Sequence, residues 1–391
     1  MTGVRDQVVD RARGMRDLVR AEAGESERLR TLSTAIVDEM WASGLMSAFN
    51  PTEAGGVEPS FREMIETWIE MAWQDGSFGW IGIANLPSTF AAATYLPDEG
   101  FAEIFTRNDN HITIGGQYFP NGQGAAVDGG YRLSGAWSFG SGTGHSAYIG
   151  AGFFPMDDGE MRWVSDGIPD MRVAFLPRQE VTFTDGWHVQ GLKGTGSYDY
   201  NVADVFVPEC RTMPLFSREP FRGTSAPSRM GLMPITAAGH ASFALGVAKS
   251  MLDDVEELAA TKVRMSDMAT LASRQTFQKG LAHHVAAWRA ARLLVLDAFA
   301  AAESAVDAGN ALTPGLRADM RVAAVYATDT ARAAAEWAHL AAGTTAIREG
   351  SRLERAFRDI YTGTQHAFIS EKVAMDVAQI WLGIIDDQFG L

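Results

Sequence analysis

The chain has 391 residues, with 48 acidic against 33 basic side chains and a formal net charge of −15. That length exceeds the usual size of a single hydrophobic core, and the deficit of Lys and Arg argues against nucleic acid or an anionic membrane surface as partner. Cys210 is the one cysteine, so no internal disulfide and no thiolate metal site within the chain can form, and a reducing cytoplasm is the expected location.

The N-terminus, MTGVRDQVVDRARGMRDLVR, is charged throughout and lacks the apolar run of a signal peptide. No stretch reaches the roughly 18 uncharged apolar residues of a membrane helix. Residues 1–110 read as helical: Val8, Ala12, Met15, Leu18 and Val19 recur at helical spacing, as do Leu29, Leu32, Ile36, Met40 and Trp41. Asn50-Pro51 and Gly55-Gly56 interrupt the pattern before a further run from Phe61 to Trp73. The segment GWIGIANLPSTFAAATYL that follows is apolar and Ala-rich, with Pro87 in its middle.

From His111 to Glu209 the text changes to short alternating runs such as ITIGGQYF, RVAFLP and YNVADVFVP, parted by turn signals such as Asp128-Gly129-Gly130. That pattern predicts an antiparallel β sandwich or barrel. From about 229 onward Leu281, Val285, Trp288, Ala291, Val295 and Phe299 step by three or four, and long helical segments with short connections predict a four-helix bundle. The expected class is α+β in three parts: a helical domain over 1–110, a β domain over 111–215 and a helical bundle over 229–391.

Within the β region stands WSFGSGTGHSAY, Trp137 to Tyr148. Gly144-His145-Ser146 looks like the start of a hydrolase nucleophile elbow. However, its fifth position is Tyr148 instead of Gly, and the text runs on into strand-like YIGAGFF where an elbow enters a helix. The other reading is a bare backbone against which a flat cofactor lies, with the Ser141 hydroxyl offered to a ring atom. His283 and His284 are adjacent, hence about 100° apart on a helix and poorly placed to share a metal. His111, His188, His240 and His339 show no ligand spacing, so no metal is expected.

Several motifs, in this order, resemble the acyl-CoA dehydrogenase superfamily. They are Gly44-Leu45 with Pro51-x-x-x-Gly55-Gly56, Arg274-x-x-Phe277 with Leu281-Ala282, and Arg352-Leu353-Glu354-Arg355-x-x-Arg358-Asp359. The dehydrogenases with a C-terminal base carry a Glu in a Y-E-G-T motif; here the comparable text is Tyr361-Thr362-Gly363-Thr364, and a threonine hydroxyl is no base near neutral pH. The two-component flavin-dependent monooxygenase branch of the same fold is the better match. It is similar at Gly135-x-Trp137-x-Phe139-x-Ser141-Gly142-x-x-His145, at Gly191-Leu192-Lys193-Gly194-Thr195-Gly196-Ser197, and at Arg358-Asp359 followed by His366.

The resemblance implies a reaction in which reduced flavin, FADH2 or FMNH2, and O2 hydroxylate an aromatic or heteroaromatic small molecule through a C4a-hydroperoxyflavin. A separate NAD(P)H-dependent reductase supplies the flavin; the chain's lack of a GxGxxG fingerprint fits that division. Tetramer formation is likewise implied by the family. His366 is the expected catalytic base toward a ring hydroxyl, and Ser141 the partner of flavin N5. Phe139 and Trp137 are expected to stack at the flavin, Gln117 to meet its pyrimidine edge, and Gly142 to let the backbone approach. Arg274 and Phe277 would serve the pyrophosphate, which favours FAD, and Gly343-Thr344 would lie near the flavin's far end. Trp80, Asn85 and His145 are candidates for the substrate pocket. The alternatives are an acyl-CoA dehydrogenase or oxidase with a displaced base, and an inactive scaffold of the same fold.

Overall fold

The structure, a computed structural model, describes residues 7–390 apart from 166, 185, 265–267 and 389. Six helices come first: α1 (Gln7–Gly14), α2 (Arg16–Leu29), α3 (Thr34–Ala42), α4 (Phe61–Gln74), α5 (Gly76–Tyr95) and α6 (Asp98–Ile104). The apolar spacing from Leu29 to Trp41 suggested one continuous helical run, but the chain breaks inside it. Arg30 is left-handed at φ 60°, and the Ser33 hydroxyl then caps α3 by accepting the Ile36 amide. A spacing pattern cannot register such a break, because Leu32, in the connection, is buried as well.

Helix α4 opens with a capping box: the Glu63 amide donates to Ser60 Oγ and the Ser60 amide to Glu63 Oε2. Helix α5 is apolar nearly all round because it is covered by α4 and α8 and by the first strand. Asp75 caps it, its Oδ1 accepting the amides of Ser77 and Phe78.

Ten strands follow: β1 (Ile114–Val127), β2 (Gly130–Gly140), β3 (Tyr148–Asp157), β4 (Glu160–Met161), β5 (Trp163–Ser165), β6 (Ile168–Pro169), β7 (Arg172–Pro177), β8 (Thr182–Thr184), β9 (Tyr198–Pro208) and β10 (Thr212–Pro214). The main sheet runs β10-β7-β3-β1-β2-β9-β8, with β4 paired to β3. Its pairs are antiparallel except β1 with β3, which is parallel. Leu133, Trp137, Ile149, Phe153, Leu176 and Tyr200 fill a core of the sheet's own. Ile114, Val173 and Phe175, from alternating positions, instead join the core shared with the helices.

The C-terminal part comprises α7 (Ala226–Met230), α8 (Leu232–Thr261), the hairpin β11 (Val263–Arg264) and β12 (Ala269–Thr270), α9 (Gln275–Asp307), α10 (Pro314–Ala342), α11 (Arg352–Gly363) and α12 (Glu371–Trp381). Three long helices, α8, α9 and α10, make the bundle, and the shorter α11 packs on α8 and α10 as its fourth member. Helix α8 also packs on α4 and α5, so its start stands between the N-terminal helices, the sheet and the α11–α12 connection. Among the described residues no helix is long and apolar enough to cross a membrane.

Candidate active site

Two loops of the sheet meet above α5. In the first, β2 slips register between Trp137 and Gly140, and Phe139 adopts φ 62° there. The Phe139 side chain is left 65% exposed, with its ring 6.2 Å from that of Trp187, edge to face. Gly142 then turns at φ 74°, and a Cβ there would lie 1.9 Å from Asn85 Oδ1, so only glycine fits. In the second loop, the Thr195 carbonyl accepts the Gly142 amide at 3.0 Å.

Ser141 is the meeting point. Its Oγ accepts the Trp80 indole N–H at 2.9 Å and the Ser197 hydroxyl at 3.0 Å. Ser197 Oγ is in turn 2.6 Å from Thr195 Oγ1, which supplies the proton of that contact and stands 2.9 Å from the Leu192 carbonyl. With two donors already on its oxygen, Ser141 keeps its own proton to give.

Trp80 also reaches the bundle. Its ring stands edge-on to Phe243 at 5.0 Å and to His240 at 5.4 Å, and 6.1 Å from His366. His240 and His366 are 4.3 Å apart between ring centroids. His366 follows α11 and begins the turn Ala367–Ile369, where its Nδ1 accepts the Phe368 amide at 3.2 Å. That bond assigns the neutral tautomer: the ring proton sits on Nε2. His366 is itself exposed, and its ring stands beside those of Trp80 and His240. Desolvation, with a smaller contribution from Arg321, lowers its pKa to about 4. His240, buried and with Nδ1 unpartnered, is lowered by burial first and then by His366 and Arg321. Both imidazoles are therefore neutral at working pH. The expected base, His366, is thus placed as a neutral ring with Nδ1 on a backbone amide and its proton on Nε2.

The other expected residues divide clearly. Trp137 is 1% exposed, stacks on Tyr200 and donates to the Gly152 carbonyl at 2.8 Å. It belongs to the sheet core, because the register slip after it turns Phe139 outward instead. Asn85 is fully buried, and its Nδ2 straps Ile114 O at 2.8 Å and Ser146 Oγ at 3.0 Å. It holds the Ser141 loop from beneath and does not line a pocket. His145 has both ring nitrogens closed off and unpartnered, and burial with Arg178 lowers its pKa to about 4; it too packs behind the loop. Gln117 is partly committed to its own strand, its Oε1 accepting the Phe119 amide at 2.9 Å. The elbow reading finds no support, since Ser146 is buried and donates to the Gly142 carbonyl at 2.7 Å.

Arg274, Phe277, Gly343 and Thr344 gather elsewhere, around the α8–α9 connection and the end of α10. Phe277 is buried 5.5 Å from the Trp337 ring, and Lys262 Nζ ties the neighbouring Ala342 carbonyl and Thr345 hydroxyl, each at 2.6 Å. Thr362, at the position of the dehydrogenase Glu, donates to the Arg358 carbonyl of its own helix at 2.8 Å.

Sequence reasoning weighed His240 only as a metal ligand and passed over Phe243 and Arg321. The available signal was a polar residue on an apolar helical face, AAGHASFALG and ADMRVAAV.

Asp359 anchors the second loop. It is fully buried, and Oδ1 accepts the Leu192 amide at 2.6 Å while Oδ2 has no partner. Burial first, and then the neighbouring Asp75 carboxyl, push its pKa up to about 8. A raised carboxyl keeps in the folded state a proton that the unfolded chain releases near pH 4, so stability falls as pH rises from about 4 toward 8. Asp359→Asn keeps the acceptor for Leu192 and removes the charge. Its melting temperature is expected to fall less than the parent's between pH 5 and pH 8, the difference amounting to about 1–3 kcal/mol. Parallel melting curves for the two proteins would show that the carboxyl is ionised throughout.

Residues 238–371 match the family described as acyl-CoA dehydrogenase, C-terminal domain. The chain is 30% identical over 378 residues to an indole-3-acetate monooxygenase of Pseudomonas putida, covering 95% of this chain and 92% of the relative. It is 28% identical over 361 residues to the oxygenase subunit HsaA, a flavin-dependent monooxygenase of Rhodococcus jostii (strain RHA1), covering 89% and 91%. Among solved structures, XiaF from Streptomyces sp., in complex with FADH2 and glycerol, superposes with a TM-score of 0.90 at 24% identity, covering 99% and 98% of the two chains. The chain belongs to the acyl-CoA dehydrogenase superfamily, in its branch of two-component flavin-dependent monooxygenases.

Proposed function

We infer that this chain is the oxygenase component of a two-component system, hydroxylating an aromatic small molecule with reduced flavin made by a separate reductase. The observation that carries this reading is the junction of Trp80, Ser141, His240 and His366, an aromatic recess with one free hydroxyl proton and one imidazole N–H. These residues fit a flavin: Phe139 offers an exposed ring on a fixed backbone, and Ser141 a hydroxyl already oriented by two donors. Bound reduced flavin supplies the two electrons that activate O2 for transfer of one oxygen atom. The chain's own part is to hold the aromatic ring beside the contiguous rings of Trp80, His240 and His366, to keep water from it, and to present the His366 Nε2–H to a ring oxygen. A donor at that position stabilises the ionised form of a ring hydroxyl, which makes the ring carbon electron-rich. FADH2 is preferred over FMNH2 if Arg274 meets a pyrophosphate. Leu293, Leu294 and Leu340, 60%, 41% and 66% exposed on the outer faces of α9 and α10, support a homotetramer in which the bundles pack together.

The test is single turnover. Protein holding reduced FAD or FMN is mixed with isotopically labelled O2 and a panel of phenols and indoles, beginning with indole-3-acetate. A product carrying one labelled oxygen is the expected result. Release of all the oxygen as hydrogen peroxide with every compound, joined to anaerobic reduction of bound FAD by an acyl-CoA thioester, would replace this reading with the dehydrogenase one.

A further inference from the structure

Beside His366 lies a buried charge with no hydrogen-bonded or ion-paired partner among the described residues. Arg321, on α10, is only 6% exposed. Its guanidinium lies 3.4 Å over the Phe368 ring, and Phe368 stands 5.9 Å from the His240 ring. Among the described residues it has no hydrogen bond and no ion pair. Its Nε is sealed from solvent without an acceptor. The acid that acts on it is Asp376 of α12, whose Oδ2 is already held by Lys372 Nζ at 2.5 Å. One turn earlier on the same helix, Arg317 is buried too but has the carboxylate of Asp387 as partner. Two arginines thus enter the interior from one face, and one of them lacks a counter-ion.

An unpaired buried cation is costly and persists where something else completes it. Burial lowers the Arg321 pKa to about 10, so the group is still charged at neutral pH. The same charge lowers the pKa of both His240 and His366, so it bears on the recess they line. We propose that Arg321 is the anchor for a carboxylate on the substrate, and that the site takes an aromatic acid whose ring lies beside the packed rings of Trp80, His240, His366 and Phe368. The planar Nη fork matches a carboxylate in two parallel hydrogen bonds, which an ammonium does not reproduce. Neutralising Arg321 also relieves its effect on His366, so an acid substrate tunes the imidazole beside it. This inference rests on the reading of the recess as the oxygenase substrate site.

The test compares acids with their neutral amides by calorimetric titration at pH 7.5 in anaerobic protein saturated with reduced FAD. The pairs are indole-3-acetate with indole-3-acetamide and phenylacetate with phenylacetamide. The acids are expected to bind about 10-fold or more tighter than the amides, a preference that falls to about 1 in Arg321→Gln. Amide affinity serves as the check that each variant is folded. If Arg321→Gln does not fold, Arg321→Lys decides: loss of the fork must cut the acid preference several-fold. Equal binding of acid and amide to the parent, an acid preference that survives either substitution, or no binding of either acid overturns the proposal. Flavin uptake is followed separately by absorbance. If the chain takes up no reduced flavin, the oxygenase reading fails, and the same titration on flavin-free protein still decides the anchor.

Discussion

His366→Gln is expected to keep product formation within about 10-fold of the parent, whereas His366→Ala and His366→Asn lose about 100-fold. The contrast follows from which ring nitrogen does what. Nδ1 accepts the Phe368 amide, so Nε2 carries the proton. A glutamine amide reaches about as far as Nε2 and still donates; asparagine is too short, and alanine offers nothing. A histidine acting as base gives a different result, since glutamine cannot take a proton and would fall as far as alanine. Measuring product per turnover for the three variants separates the two roles. The pH dependence adds a second check. A folded-state pKa of about 4, below the usual histidine value, means that the ring is neutral throughout the range in which enzymes of this kind are assayed. The His366 contribution to activity is therefore expected to be flat from pH 6 to pH 8. The same depression has a stability consequence. The unfolded chain binds a proton below about pH 6.5 that the folded ring refuses until about pH 4, so stability is lost on acidification across that window.

Ser141→Ala is expected to lower the product formed per flavin oxidised by about 10-fold, with the missing oxidation appearing as hydrogen peroxide. Ser141 Oγ gathers the Trp80 N–H and the Ser197 hydroxyl, and its own proton is left to give. Deleting the hydroxyl also leaves the Trp80 N–H without an acceptor, which costs about 1–3 kcal/mol of stability. The double variant Trp80→Phe with Ser141→Ala removes that orphaned donor. Its melting temperature is expected to recover toward the parent's while the coupling stays low. Recovery of coupling together with stability would mean that Ser141 only supports Trp80.

Much of the fold was legible because burial imposes periodicity. The six-residue stride set from Leu281 to Phe299 lies within α9, and the Gly-, Thr- and Val-rich text after His111 became the sheet. The capping of α4 is also written locally, in Ser60 and Glu63. Ser141 and His366 were legible as candidates because short motifs carried them. What those residues touch was not legible, since contacts between Trp80 on α5, Ser141 after β2, Ser197 before β9 and His366 after α11 join positions that no local rule relates.

The sequence by itself determined the element types and the order helix, sheet, bundle. Tertiary structure decided the direction of each side chain. A register slip between Trp137 and Gly140 sent Trp137 into the core and Phe139 to the surface, although the two aromatics stand two positions apart in one motif. Packing also decided which nitrogen of His366 holds the proton, through one amide at the start of a turn. And it decided that Arg321 and Arg317, one helical turn apart and alike in sequence, differ in that one has a carboxylate within reach. Partner identity depends on distance in space, and spacing along the chain carries no record of it across more than one element.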